Sequence, residues 1–205
     1  MSTPSPATRR RRMSAAARRE QLLDVATRLA VDHGFHAVSV EAVAREAGIT
    51  RAVIYQHFRD LQALLEAVVD RETSRALAQV SETALRDLRE GEPRELMLES
   101  LHAYLHAVRD HPTTWRLVLM PPEGAPKILR RRIENGRRSV LEGLTQAVRP
   151  ALRAENAEDA ELTASILSAI SDEYARLVLT DPDRYTPERL LRHARWWLDQ
   201  PSFGL

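Results

Sequence analysis

A chain of 205 residues is long enough for one large domain, or for a small and a medium one, each with a real hydrophobic core. It has no cysteine, which excludes disulfides, thiolate metal sites and cysteine nucleophiles, and no stretch is apolar enough to cross a bilayer; a cytoplasmic protein with no membrane partner is expected. The net charge of +1 hides a division, because ten arginines face five acids through Arg59, whereas twenty basic residues face twenty-four acidic ones beyond it. The first part is therefore suited to a polyanion and the second is not.

Residues 1–17 are rich in Ser, Pro, Ala and Arg and carry too little apolar surface to fold alone, so a flexible basic arm is expected there. Within it, Arg9 to Arg12 either reach a DNA backbone or minor groove or form a solvated tail. From Arg18 to His33, the residues Leu22, Leu23, Val25, Ala26, Leu29 and Ala30 recur at helical spacing, and Gly34 stops the run. Phe35 and Val38 follow as apolar residues able to close a three-helix core, with His33 and His36 as polar connector residues. The stretch Ser39 to Phe58 reads as two short helices around a tight turn. Ser39 suits an N-cap, Glu41 favours the positive end of the helix, and Val40, Val43, Ala44 and Ala47 make one apolar stripe. Gly48 stands where a left-handed residue ends a helix, and Thr50 is placed to cap the next one. In that second helix Ile54 and Phe58 share an inward face, leaving Arg51, Ala52, Tyr55 and Gln56 outward. From spacing alone, a helix-turn-helix and an ordinary helical hairpin both fit.

The series Leu22, Ala26, Gly34-Phe35, Ser39-Val40, Val43-Ala44, Ala47-Gly48-Ile49-Thr50, Ile54-Tyr55, His57-Phe58 and Leu64 resembles the DNA-binding domain of the TetR family of bacterial transcriptional regulators. The resemblance covers residues 18–64. It implies an all-α homodimer, usually a repressor, that binds a palindromic double-stranded operator and is released by a small ligand held in the C-terminal domain. Two positions depart from the family. Leu61 stands where a phosphate-binding Lys is common, so that contact moves to Arg59, is taken by the arm, or is lost, and Gln56 stands where an aromatic is common. The expected DNA-contacting set is Ser39, Thr50, Arg51, Ala52, Tyr55, Gln56, His57 and Arg59, with Arg51 and Gln56 reading bases and the others positioning the head.

From Asp60 a long helix is expected to run to about Val80, carrying Leu64, Leu65, Val68, Val69, Leu77 and Val80, and to end before a break over Arg86 to Pro93. Residues 65–205 are expected to form the ligand-binding and dimerisation domain. A helix from Pro93 to Arg109 turns Leu98, Leu101, Leu105 and Val108 inward. On its far side Glu99, His102 and His106 have the spacing to face one ion, yet read as a solvated face, so no metal or cofactor is expected. Thr113 to Met120 forms a short apolar segment ended by the Pro-rich loop at 121–126. Met97, Leu101, Tyr104, Trp115, Leu117 and Met120 are the candidate ligand-binding residues, with plain core packing as the other reading. The helix that follows, to Val148, opens with Arg130, Arg131 and Arg132, which with Arg137 and Arg138 read as a solvated or inter-subunit face.

Two final helices, near Asp159 to Leu179 and Pro187 to Asp199, are the candidates for dimerisation. Leu162, Ile166, Ile170, Leu177, Leu191, Ala194 and Trp197 are the expected interface residues, interleaved with small ones that let a partner helix approach. No catalytic order, phosphate loop or metal spacing stands out, so an enzyme is not expected. The rival reading is a constitutive DNA-binding dimer whose C-terminal domain takes no small ligand.

Overall fold

The computed structural model describes residues 13–84, 93–152 and 158–199, and those residues are all-α. Nine α-helices follow one another among them: α1 (Ala15–His33), α2 (Val40–Glu46), α3 (Arg51–Tyr55), α4 (Leu61–Ala84), α5 (Pro93–Asp110), α6 (Pro112–Leu119), α7 (Lys127–Val148), α8 (Ala160–Thr180) and α9 (Pro187–Leu198). None is long and apolar enough to cross a membrane.

Helix α1 starts three residues before the expected Arg18, because Ser14 accepts a hydrogen bond from the Ala17 amide at 3.2 Å and so caps the first turn. The expected arm is shortened accordingly, and Arg9 to Arg12, like most of the break expected over Arg86 to Pro93, lie outside the described residues. Helix α3 is only five residues long, shorter than the expected run from Thr50 to Phe58. The chain nevertheless keeps turning beyond it, since the Phe58 amide donates to the Ile54 carbonyl at 2.9 Å.

Among the described residues, three apolar clusters organise the chain. The first joins α1, α2, α3 and the start of α4 through Leu22, Leu23, Val43, Ile54, Phe58 and Leu64, as the helical spacing required. It is completed from outside the head, by Leu117 of α6, Ala125 and Leu129 of α7. The second lies among α4, α5, α6, α8 and α9, and the third between the end of α7 and the start of α8.

Two polar attachments reinforce this seam between head and body. The Phe35 amide, in the turn after α1, donates to the Glu123 carbonyl at 3.0 Å. The second is Arg71 of α4, whose side chain is nearly enclosed. It pairs with Glu20 and Asp24 of α1 and donates to the Thr27 hydroxyl, while its other partner, Glu72, accepts from the Thr114 hydroxyl of α6. Burial opposes the charge of Arg71, but the pull of Glu72 and the bond to Glu20 outweigh it and hold its pKa above the usual value.

Candidate nucleic-acid interface and apolar cavity

The head is built as a helix-turn-helix. The Ser39 hydroxyl accepts from the Ala42 amide at 3.1 Å, which fixes the start of α2, and Gly48 takes φ +64°, the left-handed geometry that lets the chain turn into α3. Thr50 occupies the N-cap position of α3 but makes no side-chain cap bond there. Ile54 and Phe58 anchor the inner face of that turn, and the Arg19 guanidinium covers the Phe58 ring at 4.9 Å from its centroid.

This anchoring leaves Arg51, Ala52, Tyr55, Gln56 and Arg59 exposed on one side, with Thr50 beside them and His57 half-buried. Tyr55, an aromatic that the core makes no use of, is 55% exposed. Two acids that the expected contact set did not include hold its cations. Arg51 pairs with Glu41 at 2.9 Å, and this hydrogen bond is the main cause that keeps Glu41 below the usual carboxylate range. Arg59 pairs with Asp60 at 2.8 Å, while the other Asp60 oxygen caps α4 by accepting from the Ala63 amide at 2.7 Å. Leu61 packs against the head core, so this position offers an anion nothing.

Behind the head, α4 to α9 line a largely apolar, half-open cavity of about 310 Å³. Met97, Leu101, Tyr104 and Trp115 line it, but Leu117 and Met120 do not. Leu117 is two residues from Trp115 on a helix, hence on nearly the opposite face, and it fills the head core instead. Met120 lies just past the end of α6 and is 44% exposed.

The expected interface residues also divide. Leu162 and Ile166 are exposed on α8, whereas Leu177 and Leu191 pack on the second core. Ile170, Ala194 and Trp197 line the cavity, and Ala194 is buried within the protomer. Helix α8 is apolar on more than one face, and the single apolar stripe of α9 is shared between the second core and the cavity, so periodicity did not separate core, cavity and outer surface.

The polar end of the cavity escaped the sequence reading. The Tyr104 hydroxyl donates to Asp172 Oδ1 at 3.1 Å, the Arg137 guanidinium lies 3.0 Å from Asp172 Oδ2, and Arg132 lines the same cavity. Burial, then the Asp172 charge, push the Tyr104 pKa well above the ordinary phenol value, so the hydroxyl stays a donor. One signal was available: Asp172 follows Ser168 by four residues on the face of α8 that meets the cavity. On α5 the His102 and His106 rings touch at 4.3 Å between centroids, and no group of three His, Asp or Glu among the described residues is placed to hold a metal ion.

Residues 22–68 match the pattern of the family described as bacterial regulatory proteins, tetR family. An uncharacterised HTH-type transcriptional regulator of Mycobacterium tuberculosis is 33% identical over 107 residues, covering 51% of this chain and 52% of the relative. The HTH-type transcriptional activator FasR of Mycolicibacterium smegmatis is 31% identical over 101 residues, covering 49% of this chain and 45% of the relative. The matches thus span about half the length of these relatives. Over nearly the whole fold, the chain is similar to FadR of Bacillus subtilis, solved in complex with stearoyl-CoA, with a TM-score of 0.62 at 16% identity, covering 87% of this chain and 96% of that one. Residues 22–68 thus form a helix-turn-helix head that matches the tetR family pattern, and the all-α body behind it has the fold of a solved regulator, so the chain is similar to TetR family transcriptional regulators.

Proposed function

We propose that the protein is a ligand-responsive regulator that binds a palindromic operator as a homodimer in the cytoplasm, acts as a repressor, and is released by a small, largely apolar effector. One observation carries this reading. Helix α6 presents Trp115, Val118 and Leu119 to the cavity, yet Leu117 to the head core and Thr114 to the Glu72–Arg71 network. A molecule that moves α6 on its cavity side must disturb packing on its head side, because close-packed interiors do not absorb such shifts locally. An effector that prefers one arrangement shifts the population by its difference in affinity for the two. Leu162 at 60% and Ile166 at 50% exposure, with Trp196 at 58%, are apolar surface suited to a second copy of the chain.

Mobility shift on DNA flanking the gene tests the head. Arg51→Ala should cost roughly 1–3 kcal/mol and relax one base preference; an equal loss on every sequence would make Arg51 a phosphate contact. A thermal-shift screen of small apolar compounds tests the cavity, since a ligand of the folded state raises the melting temperature, by about 2.7 kcal/mol of stabilisation at a hundred times Kd. A hit that leaves operator binding unchanged would refute the ligand response.

A further inference from the structure

We propose that the effector is an acidic amphiphile, with its anionic head group taken by Arg137 and Arg132 and its aliphatic tail laid along α7; this rests on the ligand-responsive reading above. Charge decides the head group. Among the described residues, Asp172 is the one acid lining the cavity, and it is already engaged by the Tyr104 hydroxyl and by Arg137, with the Arg176 guanidinium at 4.0 Å. A cationic ligand would compete with two guanidiniums for a single carboxylate. An anion has an easier site, because a guanidinium has five N–H donors and takes a carboxylate or phosphate in a two-point grip. Arg137 keeps half of its side-chain surface exposed while held by Asp172, and Arg132 is restrained by Asp70 in a pair that is exposed on both sides. Such exposed pairs contribute little, so turning Arg132 towards a ligand costs little.

Space decides the tail. Along its cavity face α7 carries Gly136, Ser139, Gly143 and Ala147, so the wall is low from the arginines towards the third apolar cluster, and Leu144 and Leu167 flank it. A cavity of about 310 Å³ has room for a medium-length aliphatic tail beside these residues. A free carboxylic acid and an acyl thioester of a phosphorylated carrier share the required chemistry.

The full-length protein is titrated calorimetrically with decanoic acid, decanoyl-coenzyme A, decanol and decyltrimethylammonium. The acid or the thioester should bind at least tenfold more tightly than the alcohol, and the ratio of the two identifies the source of the anion. The ammonium compound should bind most weakly. Arg137→Met should bring the acidic ligands down to the level of the alcohol, whereas Arg138→Met should not. Equal binding of acid and alcohol, or tighter binding of the ammonium compound, overturns the acidic head group while leaving an apolar effector in place. Absence of binding by all four overturns the inference outright, and the ligand-responsive reading then depends on the broader thermal-shift screen. The head-group series on the unaltered protein decides the matter even if Arg137→Met loses stability.

Discussion

Replacing Arg71 by Met would test whether the head is locked to the body by the buried charge network. Arg71 is 11% exposed at its side chain and Glu72 2%. Removing the guanidinium leaves Glu72 with the Thr114 hydroxyl and with Arg75, which is 3.4 Å away and half-exposed. Glu20 and Asp24 are half-exposed and return to water at little cost. Breaking a buried pair by removing one partner costs about 3–5 kcal/mol, and the Met side chain restores part of the lost packing, so about 3 kcal/mol is expected. At 205 residues each kcal/mol moves the melting temperature by about 2–4 °C, which gives a fall of roughly 6–12 °C by scanning calorimetry or circular dichroism. The double variant Arg71→Met with Glu72→Met should recover part of that loss, because it leaves no uncompensated carboxylate. A fall under about 2 °C for the single variant, or a double variant no more stable than the single one, would refute the network as the lock.

Leu117→Ala removes a fully buried side chain from the seam between α6 and the head, and should cost about 2–5 kcal/mol in urea unfolding; a loss below 1 kcal/mol would mean that the seam closes over the gap. Gly48→Ala should cost about 1–2 kcal/mol through its left-handed φ alone, because an added Cβ there meets nothing within 4 Å. Gly34→Ala should cost more, since φ +83° with ψ 161° is a backbone region that essentially only glycine adopts, and the added Cβ would also lie 3.3 Å from the Glu123 carbonyl oxygen. Burial, then Arg109 and His102, hold the His106 pKa below its ordinary value, against Glu188 and Asp110, which pull it up. The folded state thus binds its proton later than the unfolded chain. The stability present above pH ~6.5 falls as the pH drops from there towards the folded value, and His106→Gln should flatten that part of the melting-temperature profile.

The head was legible in the sequence because its signals are local. Ser39 caps, Gly48 turns, and Ile54 and Phe58 point inward for reasons contained within a few residues of each. The long helices were legible too, since their periodicity spans many turns. The seam was not, because it depends on which distant surfaces meet. Leu117 reads as one apolar residue in TTWRLVLM, and only the direction of α6 sends it to the head and Trp115 to the cavity. Glu72 did carry a signal. It follows Val68 by four residues and precedes Ala76 by four, so it stands in the buried stripe of α4, where an unpaired charge would be costly. A partner was therefore required, although the sequence could not say that it would be the adjacent Arg71 together with Thr114. The same holds for Asp172, whose partners Tyr104 and Arg137 come from two other helices.

The acids beside the head's cations change what its positive charge can do. Arg51–Glu41 and Arg59–Asp60 are exposed pairs, so parting them costs about 0–1 kcal/mol each. Exchange for a phosphate or a base edge is therefore affordable in energy, but the acids stay behind. Asp60 cannot swing away without giving up its cap on α4, and Glu41 stands in the first turn of α2, where the helix dipole favours it. An arginine that keeps its acid while touching a phosphate releases less counterion than a bare one, because part of its charge is already neutralised. The salt dependence of operator binding should thus be shallower than the number of arginines in the head implies. The base reading proposed for Arg51 would be spared this discount, because a two-point hydrogen-bonded fit depends on geometry more than on net charge, and the Glu41 carboxylate that holds the guanidinium in the free head also restricts where it points.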